Sequence, residues 1–127
     1  MGRQISRSSE STLRKLAIGH GALLEQAVCP ESGSRLAGEL GLDERTIALA
    51  RMAALVALDG ESPSYLRECN AAFATGATTD EIVGVLVAVA SLAGSARIVS
   101  AAPKVAIGVG YDLDAALESR DVTESDS

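Results

Sequence analysis

Residues 78–94 read TTDEIVGVLVAVASLAG and carry helix signals at both ends. Thr78 and Glu81 have the spacing of a capping box, in which a hydroxyl and a carboxylate bond the first free amides of a helix. A largely apolar segment follows, and Gly94 supplies a helix stop. The segment is longer than a usual strand and has helix signals at both ends. It therefore predicts a helix over residues 80–93 despite its Val and Ile content.

Upstream of this stretch the same signals predict further helices. Apolar residues recur at three- and four-residue steps over residues 13–27, which predicts one amphipathic helix that ends just before Pro30. A short helical segment is predicted at residues 34–40. Asp43 is placed as the N-cap of a helix that runs through Leu58.

The signals on the remaining segments are also helical. Ser62 precedes a proline and is expected to cap a helix that reaches Thr75. The helical period continues through residues 98–109, where Pro103 predicts a kink or a restart, and a short helix is expected at residues 113–117. No strand remains, so we expect an all-α, compact bundle of about six helices.

Composition excludes several classes of protein. The chain has 127 residues, of which 47% are apolar, and its formal net charge of −6 repels the phosphate backbone of nucleic acids. Aromatic residues make up 2%, too few for base-stacking surfaces. The two cysteines, 40 positions apart, form neither a disulfide framework nor a metal-ligand spacing. No metal and no cofactor are expected.

The length fits one domain, which we place at residues 11–117, between a flexible N-terminus (residues 1–10) and a disordered tail (residues 118–127). The N-terminus has no apolar signal-peptide region. The longest apolar run is far shorter than the roughly 20 residues that span a bilayer. A cytoplasmic protein that does not contact a membrane is therefore expected.

Two predicted helices are apolar nearly all round, namely residues 80–93 and the segment 47–58 around Arg51. A helix without a polar face must be surrounded, and a chain of this size encloses about one such helix. We therefore expect apolar surface to meet another copy of the chain in a homo-oligomer.

Short pieces of sequence occur in a familiar order along residues 42–113: LDERT at 42–46, two alanines at 71–72, GATTDEI at 76–82 and a glycine at 94. This order resembles the carboxymuconolactone decarboxylase and alkylhydroperoxidase-D-like superfamily. The resemblance implies an all-helical subunit that assembles into homotrimers or hexamers. It also implies reactive groups near the subunit interfaces.

The chain departs from that superfamily at the reactive positions. Peroxidase-type members carry Cys-x-x-Cys-x-x-x-His, with the His eight residues before the glycine that ends the helix. Counting back from Gly76, these positions hold Glu61, Ser64 and Glu68, and a second His of the decarboxylase branch falls at Ala88. The replacements argue against a thiol peroxidase.

Glu68 is the candidate general base, because a carboxylate can replace histidine in that role if burial raises its pKa. Ser64 lies one turn earlier on the same helical face. Arg51 or Arg97 could pair with Glu68 or anchor a carboxylate ligand through a planar guanidinium. A solvated acidic face and surface ion pairs are the alternative interpretation of these residues.

Two further residues are weaker candidates. Cys69 lies beside Glu68, but no second cysteine lies one helical turn away, and a small buried side chain is the commoner role of a free cysteine. His20, the single histidine, lies between two glycines on the apolar face of the first helix. Either a ligand contact or a hydrogen-bonded core or interface position fits that placement.

Two function hypotheses follow. The first is a cofactor-free acid/base lyase or isomerase that acts on a small organic acid, with Glu68 as the base and Arg51 or Arg97 as the anchor. The second is a non-catalytic member of the superfamily that binds a small apolar molecule or serves as an assembly subunit.

Overall fold

Helices provide the regular secondary structure of the computed structural model, which describes residues 3–119. The eight helices within that range are α1 (Arg7–Ala17), α2 (Gly21–Val28), α3 (Pro30–Glu39), α4 (Glu44–Leu58), α5 (Ser62–Ala74), α6 (Thr79–Ala93), α7 (Ser95–Val109) and α8 (Leu113–Glu118). No residue in this range lies in a strand. The all-α prediction is confirmed, with eight helices where about six were expected.

The chain forms two units, Met1–Ile47 and Ala48–Ser127. The first helix of the first unit begins at Arg7, inside the segment expected to be a flexible N-terminus. At the other end, residues 120–127 of the expected tail lie outside the described residues.

The single helix predicted over residues 13–27 is wrong. The chain turns at Gly19, whose φ of +72° is in the left-handed region that glycine adopts without strain. His20 then caps α2, since its Nδ1 accepts the backbone N–H of Leu23 at 3.3 Å. The apolar period continues across this break, which is why the pattern alone did not show it.

The helix signals at residues 78–94 and at Asp43 are confirmed. Thr78 and Glu81 form the capping box, with the Glu81 amide 3.1 Å from the Thr78 hydroxyl and the Thr78 amide 2.9 Å from the Glu81 carboxylate. Asp43 accepts the amide of Thr46 at 2.7 Å and so caps α4. Helix α6 ends at Ala93, and Gly94 follows it.

Two helix details differ from expectation. Ser62 is the first residue of α5 and not its cap; Glu61 holds the cap position, and its side chain makes no capping hydrogen bond. Helix α7 continues through Pro103 without a restart. Pro103 is exposed to solvent, where the carbonyl left without a partner one turn earlier can be hydrated.

Helix α7 is central to the second unit, because both α5 and α6 pack against it. Its contact with α5 is close at Gly108, where an added Cβ would lie 2.6 Å from the Cys69 sulfur. The fully buried core combines side chains from α4, α5, α6 and α7: Met52, Val56, Tyr65, Cys69, Ile82 and Val105. This core holds α4 and α5 together, and the candidate site lies on those two helices.

A polar cluster fastens the turn between α4 and α5 to α7. Ser100 donates to the Asp59 carboxylate at 2.7 Å, and Lys104 donates to the Gly60 carbonyl at 2.8 Å. Asp59 has a φ of +55°, an uncommon conformation outside glycine that aspartate tolerates better than most residues. These two side-chain hydrogen bonds hold the turn that precedes α5.

Candidate functional site

Glu68 on α5 is buried, with 6% of its surface exposed. Arg51 on α4 donates to both of its carboxylate oxygens, from Nε to Oε1 and from Nη2 to Oε2, each at 2.8 Å. Two parallel bonds between a planar guanidinium and a planar carboxylate are a strong form of side-chain ion pair. The pair therefore ties α5 to α4.

A second guanidinium approaches the same carboxylate. Arg67 Nε lies 3.6 Å from Glu68 Oε2, the oxygen that already accepts from Arg51 Nη2. Arg67 also contacts Ser64, whose hydroxyl is 3.5 Å from Nη2. The structure thus brings Arg51, Ser64 and Glu68 together and adds Arg67, which the sequence reasoning missed. Its three-residue spacing from Ser64 was the available signal.

The partners of Glu68 decide its protonation. Hydrogen bonds from Arg51 hold the pKa of Glu68 below its usual value, and the charges of Arg51 and Arg67 act in the same direction against the effect of burial. The same bonds raise the pKa of Arg51. An ionised carboxylate that already accepts two strong donors is a weak proton acceptor. The geometry favours an anchored carboxylate over a general base.

Cys69, next to Glu68 in sequence, is fully buried. Burial raises the pKa of its thiol, and the negative charge of Glu68 raises it further. The thiolate is the nucleophilic form of cysteine, so this environment opposes reactivity. With Gly108 packed against its sulfur, Cys69 serves here as a small core side chain.

The other sequence candidates lie elsewhere. Arg97 is exposed and forms no ion pair within 4.0 Å in the described part of the chain; its charge instead helps to lower the pKa of Asp59, after the hydrogen bond from Ser100 and the charge of Lys104. His20 is exposed, and the role that the structure gives it is the cap of α2.

One buried polar atom was not foreseen. The Tyr65 hydroxyl lies in the core one turn before Cys69, and it has no hydrogen-bond partner within residues 3–119. A buried hydroxyl without a partner destabilises the folded state. Burial also raises the pKa of Tyr65.

Within residues 3–119, no three His, Cys, Asp or Glu side chains are grouped so that they could hold a metal ion. The same residues contain no helix with the length and apolar character that a membrane crossing requires. Comparisons with models of protein families, with curated proteins and with solved structures find no match to this chain.

Proposed function

We propose that this chain is a self-associating, non-catalytic member of the carboxymuconolactone decarboxylase and alkylhydroperoxidase-D-like superfamily. In this proposal, copies of the chain meet through the exposed side of α6 and form a homotrimer or hexamer. The ordered sequence pieces along residues 42–113 and the all-helical fold support the membership.

The observation that carries the proposal is an exposed face of α6 that has no charged residue from Val83 to Leu92. We call it the α6 outer face, and it consists of Val83, Gly84, Val87, Ala88, Ser91 and Leu92. Val87 is 75% exposed and Leu92 is 92% exposed in the single chain. Burying a side chain of this size stabilises an assembly by about 1.5–3 kcal/mol before the costs of association.

Charge also favours this face for contact between copies. The chain has a net charge of −6, so two copies repel each other wherever their carboxylates approach. The α6 outer face carries none of that charge, and Gly84 and Ala88 allow a partner helix to approach closely.

One helix face is smaller than a stable interface, which uses about 20–30 residues on each side. Helix α7 provides more exposed apolar surface at Val99, Pro103 and Ile107, which are spaced by four residues along one stripe. Val99 is 72% exposed and Ile107 is 62% exposed. We include this stripe in the proposed contact.

The geometry of Glu68 supports the non-catalytic form of the proposal over the acid/base lyase or isomerase. A general base near neutral pH needs a raised pKa and a free lone pair. The pKa of Glu68 is lowered by Arg51, and both of its oxygens accept bonds from that residue. The proposal therefore assigns Glu68 to holding α4 and α5 together.

Sedimentation equilibrium of the full chain at micromolar concentration tests the proposal. The parent protein is expected to have three or six times the 13.0 kDa mass of one chain. Val87→Glu adds a charge to the α6 outer face without disturbing the core and is expected to give monomers. Asn70→Glu, which adds the same charge at an exposed position of α5, is the matched control and should keep the parent mass.

A parent protein with the mass of one chain would contradict the proposal. Equal dissociation by Val87→Glu and Asn70→Glu would also contradict it, because the effect would then follow from net charge and not from the α6 outer face.

A further inference from the structure

The ion cluster at Glu68 carries more positive than negative charge. Arg51 and Arg67 both face the one carboxylate of Glu68, which leaves one positive charge in excess. This local excess occurs on a chain whose net charge is −6. The negative group is buried and the positive groups are exposed, since the Glu68 side chain is 7% exposed while the side chains of Arg51 and Arg67 are 42% and 68% exposed. The positive charge therefore faces the solvent.

The two guanidinium groups also keep unused hydrogen-bond donors. A guanidinium has five N–H donors in a fixed plane. Arg51 uses Nε and Nη2 for Glu68, and Arg67 uses Nη2 for Ser64. Within residues 3–119, Nη1 of Arg51 and Nη1 of Arg67 have no hydrogen-bond partner.

Contacts within the cluster orient both guanidinium groups. Arg51 is held by its two bonds to Glu68, and Arg67 lies between Glu68 and Ser64. Both guanidiniums approach the same oxygen of Glu68, at 2.8 Å for Arg51 Nη2 and 3.6 Å for Arg67 Nε. Donors that are oriented in advance lose less conformational entropy when an anion binds.

We propose that Arg51 and Arg67, oriented by Glu68 and Ser64, bind a small oxyanion. The paired N–H donors of a guanidinium match two oxygens of a carboxylate or of a phosphate, and both ligands share this chemistry. One such anion neutralises the excess charge of the cluster. Glu68 is a positioning residue in this site. The site does not include the α6 outer face, so failure of self-association leaves this proposal unaffected.

Nuclear magnetic resonance of the full chain, labelled with nitrogen-15, tests the site through the Nε–H signals of Arg51 and Arg67. Sodium acetate, sodium phosphate and sodium chloride are titrated separately at constant ionic strength. Acetate or phosphate is expected to move both signals together and to saturate in the millimolar range. Stronger binding of acetate assigns the site to carboxylates, whereas stronger binding of phosphate assigns it to phosphates.

Two variants and a control identify the residues. Arg67→Gln is expected to weaken binding of the anion about fivefold, because one exposed charged contact contributes up to about 1 kcal/mol. Arg67→Lys keeps the charge but loses the planar fork and should fall between the parent and Arg67→Gln. Arg97→Gln removes the same charge from an exposed helical position that forms no ion pair with Glu68 in the described residues, and its affinity should equal that of the parent.

Three results would overturn the proposal. The first is that chloride moves the signals as much as acetate and phosphate do. The second is that the shifts stay linear through the millimolar range. The third is that Arg97→Gln weakens binding as much as Arg67→Gln, because the effect would then reflect net charge alone.

Discussion

Replacing Arg51 by methionine is expected to destabilise the fold by about 2 kcal/mol near neutral pH. Methionine keeps an apolar side chain of similar reach, so the change removes mainly the guanidinium. Glu68 then loses both 2.8 Å donors while it remains 6% exposed. Arg67, whose Nε is 3.6 Å away, is the remaining positive group beside it in the described chain.

The magnitude follows from the burial of the two partners. Leaving one charge of a fully buried pair without its partner costs about 3–5 kcal/mol. The Arg51 side chain is 42% exposed, so water reaches this pair and we reduce the value to about 2 kcal/mol. Glu68→Gln should cost less, about 1 kcal/mol, because it leaves a half-exposed guanidinium that water can solvate.

The loss of stability in Arg51→Met should depend on pH, and this dependence is the more specific test of the ion pair. The lowered pKa of Glu68 means that the pair stabilises the fold above the ordinary carboxyl pKa of about 4.3. That contribution is lost as the pH falls through the lower pKa of the folded state. In Arg51→Met, burial acts on Glu68 without the Arg51 bonds, so its pKa rises. The difference in the free energy of unfolding between the parent and Arg51→Met should therefore become smaller as the pH falls.

The free energies of unfolding are measured by urea unfolding at several pH values, followed by far-ultraviolet circular dichroism. The proteins compared are the parent, Arg51→Met, Glu68→Gln and the double variant. Arg67→Gln is the control and should change the free energy of unfolding by less than about 0.5 kcal/mol. Two results would contradict this account of the ion pair: a larger loss of stability in Glu68→Gln than in Arg51→Met, or a loss in Arg51→Met that grows as the pH falls.

Two further predictions concern the core of the second unit. Gly108→Ala should destabilise it by about 1–3 kcal/mol in urea unfolding, because the new Cβ would lie 2.6 Å from the Cys69 sulfur; a gain in stability from the higher helix propensity of alanine would contradict this. Tyr65→Phe should stabilise the fold by about 1 kcal/mol, since it removes a buried hydroxyl that has no partner in residues 3–119. A lower melting temperature for Tyr65→Phe would show that the hydroxyl is hydrogen-bonded after all.

Much of the helical pattern could be predicted because it depends on neighbours in the chain. A capping box joins Thr78 to Glu81, and the Asp43 cap reaches Thr46, so each signal lies within one helical turn. The break at Gly19 was missed although it is also local. Apolar residues continue the same period on both sides of it, and periodicity alone does not distinguish one helix from two.

Residue spacing is enough to predict that the chain is helical and that Glu68 shares a helical face with Ser64. The role of Glu68 as an ion-paired carboxylate depends on contacts that form in the folded chain. Its partner is Arg51, 17 positions away on another helix, while Arg97 makes no ion pair with it. Spacing does not specify which cation reaches a buried carboxylate. The pairing with Arg51 determines that the pKa of Glu68 is lowered, because burial raises the pKa of a carboxyl group and a guanidinium lowers it.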